Sequence, residues 1–305
     1  MNSIFPDYPN GMNIEWVVNN VCNYNCTYCD PELYSGTSGQ PDYDAALDFF
    51  KYINDLEDRP ILLNLTGGEP TLWPRIIAFL KELPKNIKTQ ITTNGSRTIT
   101  WWKRLLRETC PNKVVISVHS DTASIEHIQN LVELLHNKVQ LTVLLILKDL
   151  VKTKEYYKML TENNYNCSVF VKPIRDKNGK VIDYNNNEKH LLHQKYSRGR
   201  KITDKVPTHL VVDGEQKHYQ YALKMIADGE NTFKGWKCDL GKTRLAIWHN
   251  GDITTAMCST AMNLKTGNIY ERKYSLPIAP VACQDDYCSC GPDIRIPKWR
   301  ENVQV

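Results

Sequence analysis

Three cysteines stand close together near the start of the chain, in Cys22-Asn-Tyr-Asn-Cys26-Thr-Tyr-Cys29, at spacings of four and three. A loop that short can wrap all three thiols around one metal centre. A structural zinc site asks for four ligands, typically with a distant second pair at its own close spacing. Three thiolates suit a cubane iron–sulfur cluster better, because one iron is left without a protein ligand and can bind a substrate or cofactor. Five further cysteines, Cys238, Cys258, Cys283, Cys288 and Cys290, crowd the final segment, whereas Cys110 and Cys167 stand alone and are expected to be buried, inert thiols. Ten cysteines in a chain with no export signal point to metal binding or catalysis rather than to disulfides.

Something must hold these loops in place. From residue 14 to about 173, β-type apolar runs alternate with segments of helical period, the pattern of repeated βα units and a parallel sheet. The expected strands are Ile14–Val18, Ile61–Leu65, Thr89–Thr93, Val114–Val118, Val139–Leu147 and Ser168–Lys172. The expected helices are Tyr43–Leu56, Trp73–Leu83, Ile99–Glu108, Ser124–His136 and Lys154–Asn163. Six units are too few to close an eight-stranded barrel, so the fold class is α/β, a partial (β/α)6 barrel. Residues 1–175 form this barrel. Residues 176–235 read as a linker or insertion with a turn at 177–179, a strand and turn in HLVVDGEQ and one helix at Tyr219–Ala227 ended by Gly229. Residues 236–305 form a small cysteine-rich domain with a β-hairpin around Asn250-Gly251.

In βα architectures ligands gather where the strands end, and polar or glycine-rich motifs lie there. Gly67-Gly68-Glu69-Pro70 follows the second strand; alone it reads as a strand-to-helix turn with proline near a helix start. Thr92-Thr93-Asn94-Gly95 follows the third, where Asn94 also suits a turn. Strand alternation puts Ser117 and His119 on one face, inward if Ile116 and Val118 pack outward. His119 is open to two readings, a ligand contact or a satisfied core histidine. The sixth strand ends in Phe170-Val171-Lys172-Pro173, which needs no ligand to explain it.

Taken together, these motifs resemble the radical S-adenosylmethionine (radical SAM) superfamily. Its signature is a CxxxCxxC loop with an aromatic residue before the last cysteine, the place of Tyr28 here. The resemblance implies a 4Fe-4S cluster on Cys22, Cys26 and Cys29, and S-adenosylmethionine at its open iron. It assigns Gly67, Gly68, Glu69 and Pro70 to the methionyl group, with Glu69 facing the ammonium. Asn94 is assigned to the carboxylate or ribose, Ser117 to the ribose, His119 to cofactor or substrate, and Phe170 and Lys172 to the adenine. The implied chemistry is reductive cleavage of S-adenosylmethionine to a 5′-deoxyadenosyl radical that removes a substrate hydrogen. The late cysteines resemble the SPASM and twitch auxiliary-cluster domains, in which one cysteine precedes a hairpin and another follows it, as Cys238 and Cys258 do. Cys283-x4-Cys288-x-Cys290 departs from the usual close of the long form, so one auxiliary 4Fe-4S cluster on four of the five cysteines is the economical reading, with structural zinc as its rival.

The expected function is therefore that of a radical SAM enzyme, foremost a maturase of a ribosomally made peptide that forms a cross-link, an epimer or an excised backbone unit. The runner-up is a dehydrogenase or cyclase of a small molecule or nucleotide, and the reading from another class is a non-catalytic metal-binding scaffold. Expected partners are a peptide substrate, an external electron donor, and a separate leader-binding protein unless residues 174–235 take that role. Composition narrows the rest. A formal charge of +4 with dispersed basic residues argues against nucleic acid, and KYSRGRKITDK at 195–205 reads as a solvated loop. No apolar stretch is long enough to span a bilayer and no signal peptide begins the chain, so the expected location is the cytoplasm.

Overall fold

The structure is a computed structural model that describes residues 1–6, 11–176, 180–192, 194–197, 207–220, 222–258, 263–275, 279–288 and 290–300. Six strands lie side by side in sequence order, each pair parallel: β2 (Met12–Val17), β3 (Ile61–Thr66), β4 (Ile87–Thr93), β5 (Lys113–Val118), β6 (Gln140–Ile146) and β7 (Cys167–Lys172). Alternation along each strand separates two faces. Trp16, Leu65, Ile91, Ile116, Val143 and Val169 are fully buried on one. Glu15, Asn64, Gln90, Ser117, Thr142 and Phe170 occupy the other and stay half-buried.

The apolar face is covered by helices α1 (Tyr43–Leu56), α2 (Ile76–Glu82), α3 (Ile99–Glu108), α4 (Ile125–Leu135), α5 (Leu150–Glu162) and α6 (Asn186–Leu192), one after each strand. Side chains of Asp42, Thr98, Ser124 and Asp149 accept the orphan N–H groups that open α1, α3, α4 and α5. The product is a partial (β/α)6 barrel. Its sixth helix is α6, whose Leu191 is buried in the same core, so the barrel runs past residue 175.

Several boundaries differ from the sequence reading for local reasons. Pro74 holds Trp73 extended, so a short 3-10 turn at Pro70–Leu72 precedes α2, which starts only at Ile76. Asp149 caps α5, which starts at Leu150, four residues ahead of the expected Lys154. Tyr219 ends a strand paired with Thr208, so its helix, α7 (Ala222–Ala227), starts later than expected. Cys110 is exposed rather than buried, because it takes a left-handed φ of 52° just past the end of α3. Cys167 is buried as expected. The turn expected at 177–179 lies outside the described residues, as does most of 195–205.

The segment read as a linker with one helix carries α6, α7 and three strands, β8 (Lys195–Ser197), β9 (Thr208–Val212) and β10 (Glu215–Tyr219). Strands from the first and last segments also exchange places. β1 (Asn2–Pro6) joins β9, β10, β11 (Lys237–Cys238), β16 (Val281–Ala282) and β17 (Lys298–Arg300) in a second sheet. In return β12 (Arg244–Ile247), the first strand of the expected hairpin, pairs parallel with β2, and β13 (Asp252–Thr254), β14 (Gly267–Asn268) and β15 (Lys273–Tyr274) continue the barrel sheet outward. The cysteine-rich segment is therefore hydrogen-bonded into both sheets.

Candidate functional site

The loop after β2 carries Cys22, Cys26 and Cys29, and neighbouring backbone holds it from two sides. Asn20 receives Ser38 N–H at 3.0 Å and donates to Ser35 Oγ and Thr37 Oγ1, which ties down the loop beyond the cysteines. On the other side Gly68 N–H donates to Asn19 O at 2.9 Å and Glu69 N–H to Val21 O at 2.8 Å. Both glycines are needed for that approach. A Cβ on Gly67, at φ +143°, would lie 2.5 Å from Asn19 O, and one on Gly68 would lie 2.4 Å from both Leu33 O and Val21 O. The closeness these glycines permit is between the two loops themselves.

Glu69 is fully buried. Its Oε1 accepts Thr71 N–H at 2.9 Å, Thr71 Oγ1–H at 2.5 Å and Thr93 Oγ1–H at 2.8 Å, and its Oε2 accepts Asn94 N–H at 2.7 Å. Burial pushes this carboxyl up from its ordinary value while all four donors pull it down. One carboxylate thus clamps the ends of β3 and β4 together. Pro70 is buried as the first residue of the 3-10 turn that Glu69 caps. Asn94 Nδ2 donates to Asn23 Oδ1 at 3.0 Å and reaches Cys22 Sγ at 3.8 Å, so the third strand end is bonded to the cysteine loop.

The fourth strand end meets the same loop. His119 Nδ1 lies 2.9 Å from Tyr28 Oη and 3.5 Å from Cys26 Sγ, and the two rings stack at 5.9 Å. Burial pushes the imidazole down to about 4, which keeps the ring neutral near pH 7. Tyr28 Oη also donates to Asp121 Oδ1, and Asp121 pairs with Lys148 at 2.7 Å. Asn23, Asp121 and Lys148 went unnoticed in the sequence, since each forms part of the site only through long-range contacts. Ser117 is half-buried in β5, and its side chain makes no hydrogen bond among the described residues. Phe170 and Lys172 stand apart from these contacts, on β7, three strands from β4.

The thiols fit a cluster. Burial pushes Cys22, Cys26 and Cys29 up, Cys29 to about 11, so their ionised forms need a compensating cation. Tyr24 N–H points at Cys22 Sγ at 3.4 Å, as does the Asn94 amide, and such donors tune iron–sulfur sites. Residues 16–164 match the family model described as the Radical SAM superfamily. The chain belongs to the radical SAM superfamily. As a radical SAM protein it is an enzyme, and its fold implies a 4Fe-4S cluster and S-adenosylmethionine.

Among curated relatives, GTP 3′,8-cyclase of Pectobacterium atrosepticum is 35% identical over 85 residues, 26% of this chain and 26% of that protein. The chain thus aligns with about a quarter of that relative's length. Among solved structures, histidine-tagged anSMEcpe with bound AdoMet has a TM-score of 0.56 at 15% identity, covering 85% of this chain and 78% of that one. Native anSMEcpe with bound AdoMet and Cp18Cys peptide has a TM-score of 0.54 at 14% identity, covering 85% and 77%.

The C-terminal cysteines of this radical SAM enzyme divide four to one. Cys238, Cys258, Cys283 and Cys288 line one pocket with Leu240, Ala256, Ile296 and Lys298. Cys290 lies outside it, its Sγ 3.8 Å from Arg244 Nη2. Lys298 is 2% exposed and donates from Nζ to the carbonyls of Asp293, Ile294 and Ile296, which places a buried ammonium beside the four thiols. Burial pushes Cys238 up to about 11, and Lys298 opposes that shift. Among the described residues no three His, Cys, Asp or Glu side chains converge closely enough to hold a single ion. Arg244, 3% exposed, ties this pocket to the barrel: Nη2 donates to Glu15 Oε2 at 2.5 Å and Nε to Asp293 Oδ1 at 3.0 Å, while Asp293 Oδ2 accepts Met257 N–H beside Cys258.

Proposed function

We propose that this radical SAM enzyme matures a ribosomally made peptide and that Cys238, Cys258, Cys283 and Cys288 hold one auxiliary 4Fe-4S cluster of the twitch type. The observation that carries the reading is the four-thiol pocket with its buried Lys298, joined to the barrel through Arg244. Four thiols with the buried Lys298 ammonium suit a cluster bearing net negative charge, and of the two carboxylates that also line the pocket, Asp285 and Asp293, the second is paired with Arg244. The cofactors supply the one-electron chemistry when bound. The chain supplies geometry. Glu69 and Asn94 fix the first loop against the strand ends, and neutral His119 with Tyr28 shields Cys26 from solvent. Peptide as substrate is supported by the shared fold of anSMEcpe, solved with AdoMet and a peptide. An external electron donor and a separate leader-binding protein complete the proposal.

A second reading, cyclisation of a nucleotide, is favoured by the stretch shared with GTP 3′,8-cyclase. Two reactions separate them. The anaerobically reconstituted enzyme is incubated with reductant and S-adenosylmethionine, either with peptides encoded beside its gene or with GTP. A mass change on a peptide, absent in the Cys26→Ala variant, is the expected result; a new GTP-derived product with unchanged peptides would overturn the peptide reading.

A further inference from the structure

The barrel's interior wall ends on its sixth parallel strand in two cations without partners. Lys172 closes β7, and Arg175 follows beyond Pro173, its backbone bridged to Val181. Among the described residues neither side chain makes a hydrogen bond or ion pair. Glu15, the carboxylate within electrostatic reach of Lys172, is engaged by Arg244. The two cations lie within electrostatic reach of each other and of Cys290, with Cys29 and Glu15 near Lys172 and Cys288 near Arg175. They therefore face the space between the two groups of cysteines. Burial and the neighbouring guanidinium push the Lys172 ammonium down to about 8. Two like charges at half-buried positions within electrostatic reach of each other repel until an anion joins them, and an Arg–oxyanion contact is the strong form of such a bond.

We propose that Lys172 and Arg175 form a clamp for an oxyanion, a carboxylate or phosphoryl group of the substrate, on the wall between the first cluster loop and the C-terminal cysteine pocket. This rests on the reading of the barrel interior as the reaction chamber. The position argues for substrate over cofactor. The methionyl motifs lie at the ends of β3 and β4, whereas β7 stands three strands beyond β4 and its Lys172 reaches the other side of the cluster loop, within electrostatic reach of Cys29 and His119. A substrate anchored here by its anion extends back toward Cys29, where hydrogen abstraction would take place.

The test uses the reconstituted enzyme and three probes titrated by calorimetry at fixed ionic strength: pyrophosphate, glutarate and S-adenosylmethionine. Wild type is expected to bind pyrophosphate or glutarate, with Kd weakened at least tenfold in Lys172→Met and in Arg175→Met and largely restored in Lys172→Arg. Preference for pyrophosphate marks a phosphorylated substrate and preference for glutarate a carboxylate, and either supports the clamp. Binding of neither anion by wild type, or wild-type anion affinity in both methionine variants, overturns it. So does a loss of S-adenosylmethionine affinity in step with any loss of anion affinity, which would give the cations to the cofactor. Iron content and S-adenosylmethionine binding of wild type in the same samples show separately whether the cofactor site itself has failed.

Discussion

Glu69 keeps a carboxylate inside the protein because four donors meet it, and two of those donors belong to the end of β4. An amide in its place turns an N–H toward at least one of these donors. Glu69→Gln is therefore expected to lower stability by about 1–3 kcal/mol in urea unfolding, and to weaken S-adenosylmethionine binding because Asn94 is released. The same scale decides the odd cysteine. Cys290 lies beside Arg244 rather than in the four-thiol pocket. Cys290→Ser should retain about eight irons per chain, whereas Cys258→Ser should fall to about four, as read by iron and sulfide analysis. An equal loss of iron in both variants would contradict this division. The spacing of Cys22, Cys26 and Cys29 is legible in the sequence alone, since it is a local feature. The fate of Cys290 is not, because it depends on Arg244, 46 residues away in sequence.

At the scale of elements, the loop after β2 and the end of β3 also meet backbone to backbone. Gly68 has no room for a Cβ between Leu33 O and Val21 O. Gly68→Ala should force the loop after β2 away from β3, costing about 1–3 kcal/mol, with less iron retained at the first site on reconstitution. The six parallel strands and the helices α1, α3 and α4 followed closely from periodicity and caps, because βα units are built from local patterns. The late start of α2 turns on Pro74, which keeps Trp73 extended. The sixth helix escaped notice because α6 is short and sits in a polar, asparagine-rich stretch.

For the whole molecule, the exchange of strands between the two sheets sets how the C-terminal cysteines meet the barrel. Neither the parallel pairing of β12 with β2 nor the pairing of β1 with β17 leaves a mark in local sequence. Arg244 joins the parts, paired both with half-buried Glu15 on β2 and with buried Asp293 beside the cysteine pocket. Arg244→Met leaves both carboxylates without their cation and should destabilise the chain by about 3–5 kcal/mol, seen as a lower denaturation midpoint. Auxiliary iron should be lost before the first cluster in that variant, since Met257 and Cys258 hang on Asp293.

The central claim is that Cys22, Cys26 and Cys29 make this chain an S-adenosylmethionine-cleaving enzyme. The measurement that meets it most directly is 5′-deoxyadenosine formed by the anaerobically reconstituted protein with reductant and S-adenosylmethionine. The wild type should produce it, and Cys26→Ala should not while keeping the auxiliary iron. No product from a wild type that carries its iron, or undiminished product from Cys26→Ala, would contradict the account.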